Sequence, residues 1–192
     1  MTRPVRTAVL ALCALLLLAA PAAAKSKKGA TLKLKGGATT LTLDKGAADA
    51  LASLGIAAAP LAPATADGAD LRFPLTTGRV KAKTLAGKIR HVGGLSFSRD
   101  TTRVELRNFI IDTKQGVLTA RAGNARLAIL DLDLSAVEVS KKGKRLTVSG
   151  VKATLTKGAA DALNGAFGTD AFKEGLVIGT AVVKTRVKSH RH

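Results

Sequence analysis

Apolar and polar residues alternate along most of the chain after residue 30, a period of two that is typical of half-buried β-strands. The clearest alternating runs lie at residues 32–35, 40–43, 103–107, 130–134, 145–148 and 183–188. Glycine-containing turn signals such as Gly36-Gly37 and Gly93-Gly94 separate these runs. Many short strands at close spacing are typical of an antiparallel sandwich or barrel, so we expect a mainly β fold, and of the two architectures we predict the antiparallel β-sandwich. The segment at residues 57–70, which contains two prolines, predicts an extended loop instead.

Two segments break the alternation, and they repeat one another. LDKGAADAL at residues 43–51 reappears as LTKGAADAL at residues 155–163. The second residue of each copy is of a type that caps helices, and the apolar residues after it recur at helical spacing. Gly55 and Gly168 then supply the left-handed conformation that commonly ends a helix. The sequence therefore predicts two short helices that pack on the sheet, near residues 40–55 and 156–168.

The first 24 residues have the three-part pattern of a secretory signal peptide. Two arginines precede an almost unbroken apolar run, and small residues end that run at positions 21–24. The run is shorter than the roughly 20 residues that cross a bilayer, and no later segment is long and apolar enough to do so. We therefore predict removal of residues 1–24, Cys13 among them, and a secreted or cell-surface, cell-wall-associated protein. The rest is predicted to form a basic leader and first strand (25–37), one β domain (38–188) and a basic tail (189–192).

Composition excludes several classes of protein. One cysteine cannot build a disulfide framework or a multi-cysteine metal site. The absence of tyrosine and tryptophan argues against a surface that stacks bases or sugars. With 46% hydrophobic residues, the chain is too apolar to be a disordered basic tail.

The net charge of +18 points to anionic partners. Residues 1–24 contain two arginines and no acid, so the remaining chain carries +16. For an exported protein the expected partners are anionic cell-wall polymers or lipid headgroups. Specific nucleic-acid binding is not expected, because neither a recognition helix nor stacking aromatic residues are visible.

A series of motifs in the second half of the chain resembles the HtaA (haem-transport-associated) domain family. The motifs are GKIRHVGGL at residues 87–95, strands near residues 104–111 and 116–120, LDL at residues 130–132, ATLTKGAA at residues 153–160, and then Phe172 and Gly175. The resemblance covers residues 87–183, and more loosely the chain from residue 38. The resemblance implies a β-sandwich with a few short helices that is secreted or anchored to the surface of Gram-positive actinobacteria. The better-known members of the family capture haem.

This resemblance also implies a ligand site at His91, Gly93 and Gly94. Imidazole can ligate haem iron, and alternation places His91 with Ile89 on the inward face of its strand. The family's axial tyrosine has no counterpart, because the chain contains no tyrosine. Haem is therefore a ligand by resemblance alone, and the alternative is a histidine that is simply packed within its strand.

Catalytic alternatives find little support. His91 would have to act as the base for Ser96 or Ser98, and no nucleophile elbow is present. Asp131 and Asp133 lie on one outward strand face, as solvated residues do. We therefore predict an exported, non-catalytic binding module without a metal site. The alternative is a structural or adhesive envelope protein that anionic wall polymers hold by its charge, without a small-molecule ligand.

Overall fold

A computed structural model describes residues 29–188, which contain twelve β-strands and two α-helices. The strands are β1 (Thr31–Leu43), β2 (Ala57–Leu61), β3 (Thr65–Asp67), β4 (Asp70–Lys81), β5 (Gly87–His91), β6 (Gly94–Arg99), β7 (Thr102–Asp112), β8 (Val117–Ala122), β9 (Ala125–Asp133), β10 (Glu138–Lys142), β11 (Arg145–Leu155) and β12 (Val177–Lys188). The helices are α1 (Lys45–Ser53) and α2 (Lys157–Phe167). The predicted signal peptide, Cys13 and the basic tail lie outside the described residues.

Eight of the described strands form a closed antiparallel barrel. They follow one another in the order β1, β12, β11, β9, β8, β7, β5 and β4, and β4 pairs again with β1. The pairing of β7 with both β5 and β8 closes the ring. The mainly β fold with two short helices is thus confirmed. The expected sandwich is wrong, because all twelve described strands belong to one sheet and eight of them close into a ring.

The other four strands extend the barrel. β6 continues along β7 beyond β5 and pairs with β2, while β3 pairs with β4 and β10 pairs with β11. The predicted loop at residues 57–70 is therefore wrong, since it contains β2 and β3. Pro60 is tolerated because β2 is an edge strand, where a missing N–H need not break a ladder.

Both predicted helices are confirmed, and both lie at the same end of the barrel. They follow β1 and β11, the two strands that flank β12 and run antiparallel to it. Asp44 and Thr156 cap them, and Gly55 and Gly168 adopt positive φ at their ends. α1 begins only at Lys45, because the preceding residues continue β1.

Inward-facing side chains of the barrel strands form most of the core. Ala47 of α1 and Ala159, Ala160 and Phe167 of α2 are buried against it. Both helices are short, so their stability depends on this burial. Among the described residues, no helix is long and apolar enough to cross a membrane.

Candidate functional site

A cavity of ≈ 350 Å³ lies within the barrel. Eight strands enclose an interior that side chains can just fill or that can hold one small ligand. Protein interiors seldom leave voids larger than a water molecule, so this space is unusual for a packed core. Apolar side chains line almost all of it, and the exceptions are Thr39, Lys83, Thr84, His91, Thr113 and Thr185. A cavity of this size and chemistry suits an apolar ligand with a few polar groups.

His91 is the buried ionisable group of this lining. It ends β5, is 4% exposed, and points inward with Ile89 as the alternation predicts. Its Nε2 lies 2.7 Å from the Oγ1 of Thr39 on β1. Burial lowers the pKa of His91 to about 4, and the nearby Phe109 backbone opposes this shift only in part. The imidazole is therefore neutral at neutral pH.

The second ring nitrogen of His91 has no hydrogen-bond partner within the described chain. The Phe109 backbone is close enough to influence the pKa, but it does not reach Nδ1 with hydrogen-bonding geometry. If Thr39 donates to Nε2, then Nδ1 carries an unused N–H; if Nε2 donates, Nδ1 keeps a free lone pair. In both tautomers, one polar atom of this cavity-lining residue is left without a partner in the described chain.

Lys83 lies at the other end of β5 from His91. It is exposed in the connection between β4 and β5, where the cavity reaches the end of the barrel. The lining thus includes a neutral imidazole at one end of β5 and a cation in the connection before its other end. The sequence had not singled out Lys83, because an exposed lysine beside a turn is an ordinary surface residue.

Gly93 and Gly94 lie where the chain turns from β5 into β6. Gly93 has a φ of +83°, and a Cβ there would approach the Ala64 nitrogen to 2.6 Å. A Cβ at Gly94 would lie 2.1 Å from the Leu106 carbonyl oxygen. Close backbone packing therefore accounts for both glycines. Contact between them and a ligand stays a prediction.

The groups considered for catalysis are not arranged for it. The hydroxyl of Ser96 donates to the Ala59 carbonyl, while His91 is paired with Thr39. Asp131 and Asp133 are exposed, and hydrogen bonds from Ser135 lower the pKa of Asp133, the opposite of what a general acid needs. Within residues 29–188, no three metal-ligating side chains gather into one site.

Thr39 is a second site residue that sequence reasoning missed. It is 5% exposed and lies on the same inward face as Leu41. Extending the alternation of Leu41 and Leu43 back by one step would have placed it inside. Its pairing with a histidine 52 residues away has no local signal in the sequence.

Comparison with known proteins places the fold. No family model matches the sequence, and no curated protein matches it either. Among solved structures, the C-terminal domain of HtaA from Corynebacterium glutamicum aligns with a TM-score of 0.64 and 16% identity, over 82% of this chain and 99% of that one. A domain-swapped dimer variant of that domain gives a TM-score of 0.53 at 18% identity, over 72% of this chain and 87% of the other.

The haem-binding protein HtaB from the same organism aligns with a TM-score of 0.52 and 10% identity, over 84% of this chain and 98% of that one. At sequence identities of 10–18%, the structural similarity shows a shared fold and does not by itself show a shared function. It confirms the resemblance that the motifs around His91 indicated, and it extends that resemblance to the first half of the chain. The described chain is an HtaA-like domain in fold.

Proposed function

We propose that this protein is an exported, non-catalytic binding module that holds haem, or a similar apolar ligand with acidic groups, inside its barrel. The observation that carries the proposal is the apolar cavity of ≈ 350 Å³ with a buried, half-paired histidine in its wall. The fold likeness to HtaB, which is described as a haem-binding protein, supports haem as the ligand.

The lining residues fit haem in three respects. Apolar side chains would surround the macrocycle, since most of the wall is Leu, Ile, Val and Phe. His91 is neutral because burial lowers its pKa to about 4, so protons do not compete with iron for the imidazole at neutral pH. Lys83 would offer a cation to a carboxylate at the cavity's end. Within residues 29–188, which contain one histidine and no tyrosine, iron ligation would fall to His91.

Haemin titration tests the proposal on the chain from Lys25 onward, because the barrel and its core lie within residues 29–188. We expect a saturable shift of the Soret band, and a weakened or spectrally altered complex in His91→Ala. The matched control is the variant with both His190→Ala and His192→Ala, which removes the tail histidines that haemin could otherwise find. That variant should keep the wild-type spectrum. Absence of a saturable shift, or an unaltered shift in His91→Ala, would contradict the proposal.

Export is part of the same proposal, and the pattern of residues 1–24 supports it. Fusion of these residues to a reporter that is active only outside the cytoplasm tests this step separately. Replacing Arg3 and Arg6, the two arginines that precede the apolar run, should reduce export of the reporter.

A further inference from the structure

Two rows of cations cross the outer wall of the barrel. The first joins β5, β4, β1 and β12 through the directly opposed pairs Lys88–Arg79, Arg79–Lys33 and Lys33–Lys188. The second joins β1, β12, β11 and β10 through the pairs Lys35–Arg186, Arg186–Arg145 and Arg145–Lys142. We refer to these eight residues as the basic rows.

The basic rows carry almost no compensating charge. Of the eight cations, only Lys88 has an ion pair within residues 29–188, to Asp112 at 3.5 Å. Like charges directly opposite each other on neighbouring strands destabilise a sheet. Seven of these cations therefore face like charges without a compensating acid, an arrangement that lowers the stability of the sheet.

Protection of sheet edges does not explain these cations. Lysine on an edge strand discourages pairing with other molecules. Seven of the eight residues lie on β1, β4, β5, β11 and β12, which belong to the closed ring and are paired on both sides. Only Lys142, on β10, lies on a strand with a free edge. A role in binding accounts better for the charge.

An open groove of ≈ 910 Å³ accompanies the second row. It lies over β12, between β1 and β11, beside the irregularity in β1 at Gly36 and Gly37. Six cations and no acid line it: Lys35, Lys144, Arg145, Lys184, Arg186 and Lys188. Oxygen anions are the groups that such a lining would bind.

From this arrangement we propose that the basic rows and their groove bind a linear phosphate-backbone polymer without bases. Neighbouring strands are about 4.8 Å apart, so four strands present a line of cations about 14 Å long to successive phosphates. A flat lipid surface would meet only part of these rows, because the barrel wall is convex. A nucleic acid would gain no stacking here, since no aromatic residue belongs to the rows or lines the groove. The cations of this surface do not line the cavity that holds His91, and the two linings share only Leu146 and Thr185.

Binding of short inorganic polyphosphate to the chain from Lys25 onward, followed by calorimetry, tests this proposal. The variant with Lys35→Gln, Arg145→Gln and Arg186→Gln should bind about tenfold more weakly. The slope of log affinity against log salt concentration should be shallower than that of wild type by about 2. This value follows from three lost phosphate contacts, each of which contributes roughly 0.7 to the slope. The matched control carries Arg72→Gln, Arg121→Gln and Lys173→Gln, the same change in charge at exposed sites away from the rows.

An equal loss of affinity in both triple variants would overturn the proposal, because attraction would then follow total charge alone. Orthophosphate binding as tightly as the polymer, or vesicles of anionic lipid binding where polyphosphate does not, would also overturn it. Thermal unfolding verifies that each variant is folded. Haemin binding should be unchanged in the row variant, so the two proposals can fail independently.

Discussion

At the scale of a single residue, two features of His91 lower the stability of the folded protein. Its ring is buried, and one ring nitrogen has no partner within the described chain. An unsatisfied buried polar atom costs about 1–3 kcal/mol. An apolar residue at this place in the barrel would avoid that cost, and this is why we regard the histidine as a binding group rather than a packing residue.

The lowered pKa of His91 predicts a specific dependence of stability on pH. Between pH 6.5 and about 4 the unfolded chain binds a proton at this residue and the folded chain does not. The free energy of unfolding should therefore fall as the pH drops through this window, and His91 should contribute no slope above it. At 1.36 kcal/mol per pKa unit, the loss from this residue is about 3 kcal/mol. Urea unfolding at a series of pH values measures it.

The control for this prediction is His91→Gln, which keeps a polar side chain near Thr39 but cannot titrate. The difference between wild type and variant isolates His91, because Glu105 and Asp133, whose pKa values are lowered by hydrogen bonds from Arg103 and from Ser135, are common to both. Parallel curves for wild type and variant between pH 7 and pH 4 would show that the imidazole is not buried as described.

The two strand-to-helix units are the feature that sequence and structure share most closely at the level of elements. β1 with α1 and β11 with α2 flank β12, and each helix carries the same i,i+4 lysine–aspartate pair at 2.6 Å. Their caps differ. Among the described residues, the exposed Asp44 carboxylate accepts from Gly46 N–H alone, whereas the buried Thr156 hydroxyl accepts from Ala159 N–H and also donates to the Ala128 carbonyl on β9.

This difference predicts unequal costs for the same substitution. Thr156→Ala should lower the free energy of unfolding by about 2 kcal/mol, since it removes both a cap and a link to β9. Asp44→Ala should cost about 1 kcal/mol or less, because water can replace an exposed cap. Thr156→Ser should restore most of the loss. Urea unfolding of the three variants measures these values, and equal costs at the two positions would contradict the assigned role of Thr156.

Strands and helices could be predicted wherever neighbouring residues in the sequence indicated them. Alternation identified strands and the inward side of His91, and capping residues with glycines identified both helices. Closure of the barrel was not predictable, because alternating strands look the same in a sandwich and in a barrel. Closure depends on β7 pairing with β5 and β8 at once, a relation between distant segments. The cavity could not be predicted from the sequence for the same reason, since it is the space that remains after all eight strands are paired.

At the scale of the whole molecule, the net charge of +16 on the chain from Lys25 onward and the basic rows make charge repulsion a property of the folded state. Folding brings seven unpaired cations into opposed positions that the unfolded chain does not impose. Exposed charges are screened by salt, with a Debye length of about 10 Å at 0.1 M and about 3 Å at 1 M. The stability of this protein should therefore depend on ionic strength more than that of a barrel with mixed surface charge.

We expect the midpoint of thermal unfolding to rise when sodium chloride increases from about 0.1 M to about 1 M. A relief of about 1 kcal/mol corresponds to about 2–4 °C for a chain of this size. The variant with Lys35→Gln, Arg145→Gln and Arg186→Gln should unfold at a higher temperature than wild type in low salt, and should gain less from added salt. The triple variant at Arg72, Arg121 and Lys173 should keep most of the salt effect. If both variants respond to salt as wild type does, repulsion within the basic rows is not what salt relieves, and general effects of salt on apolar burial would account for the change.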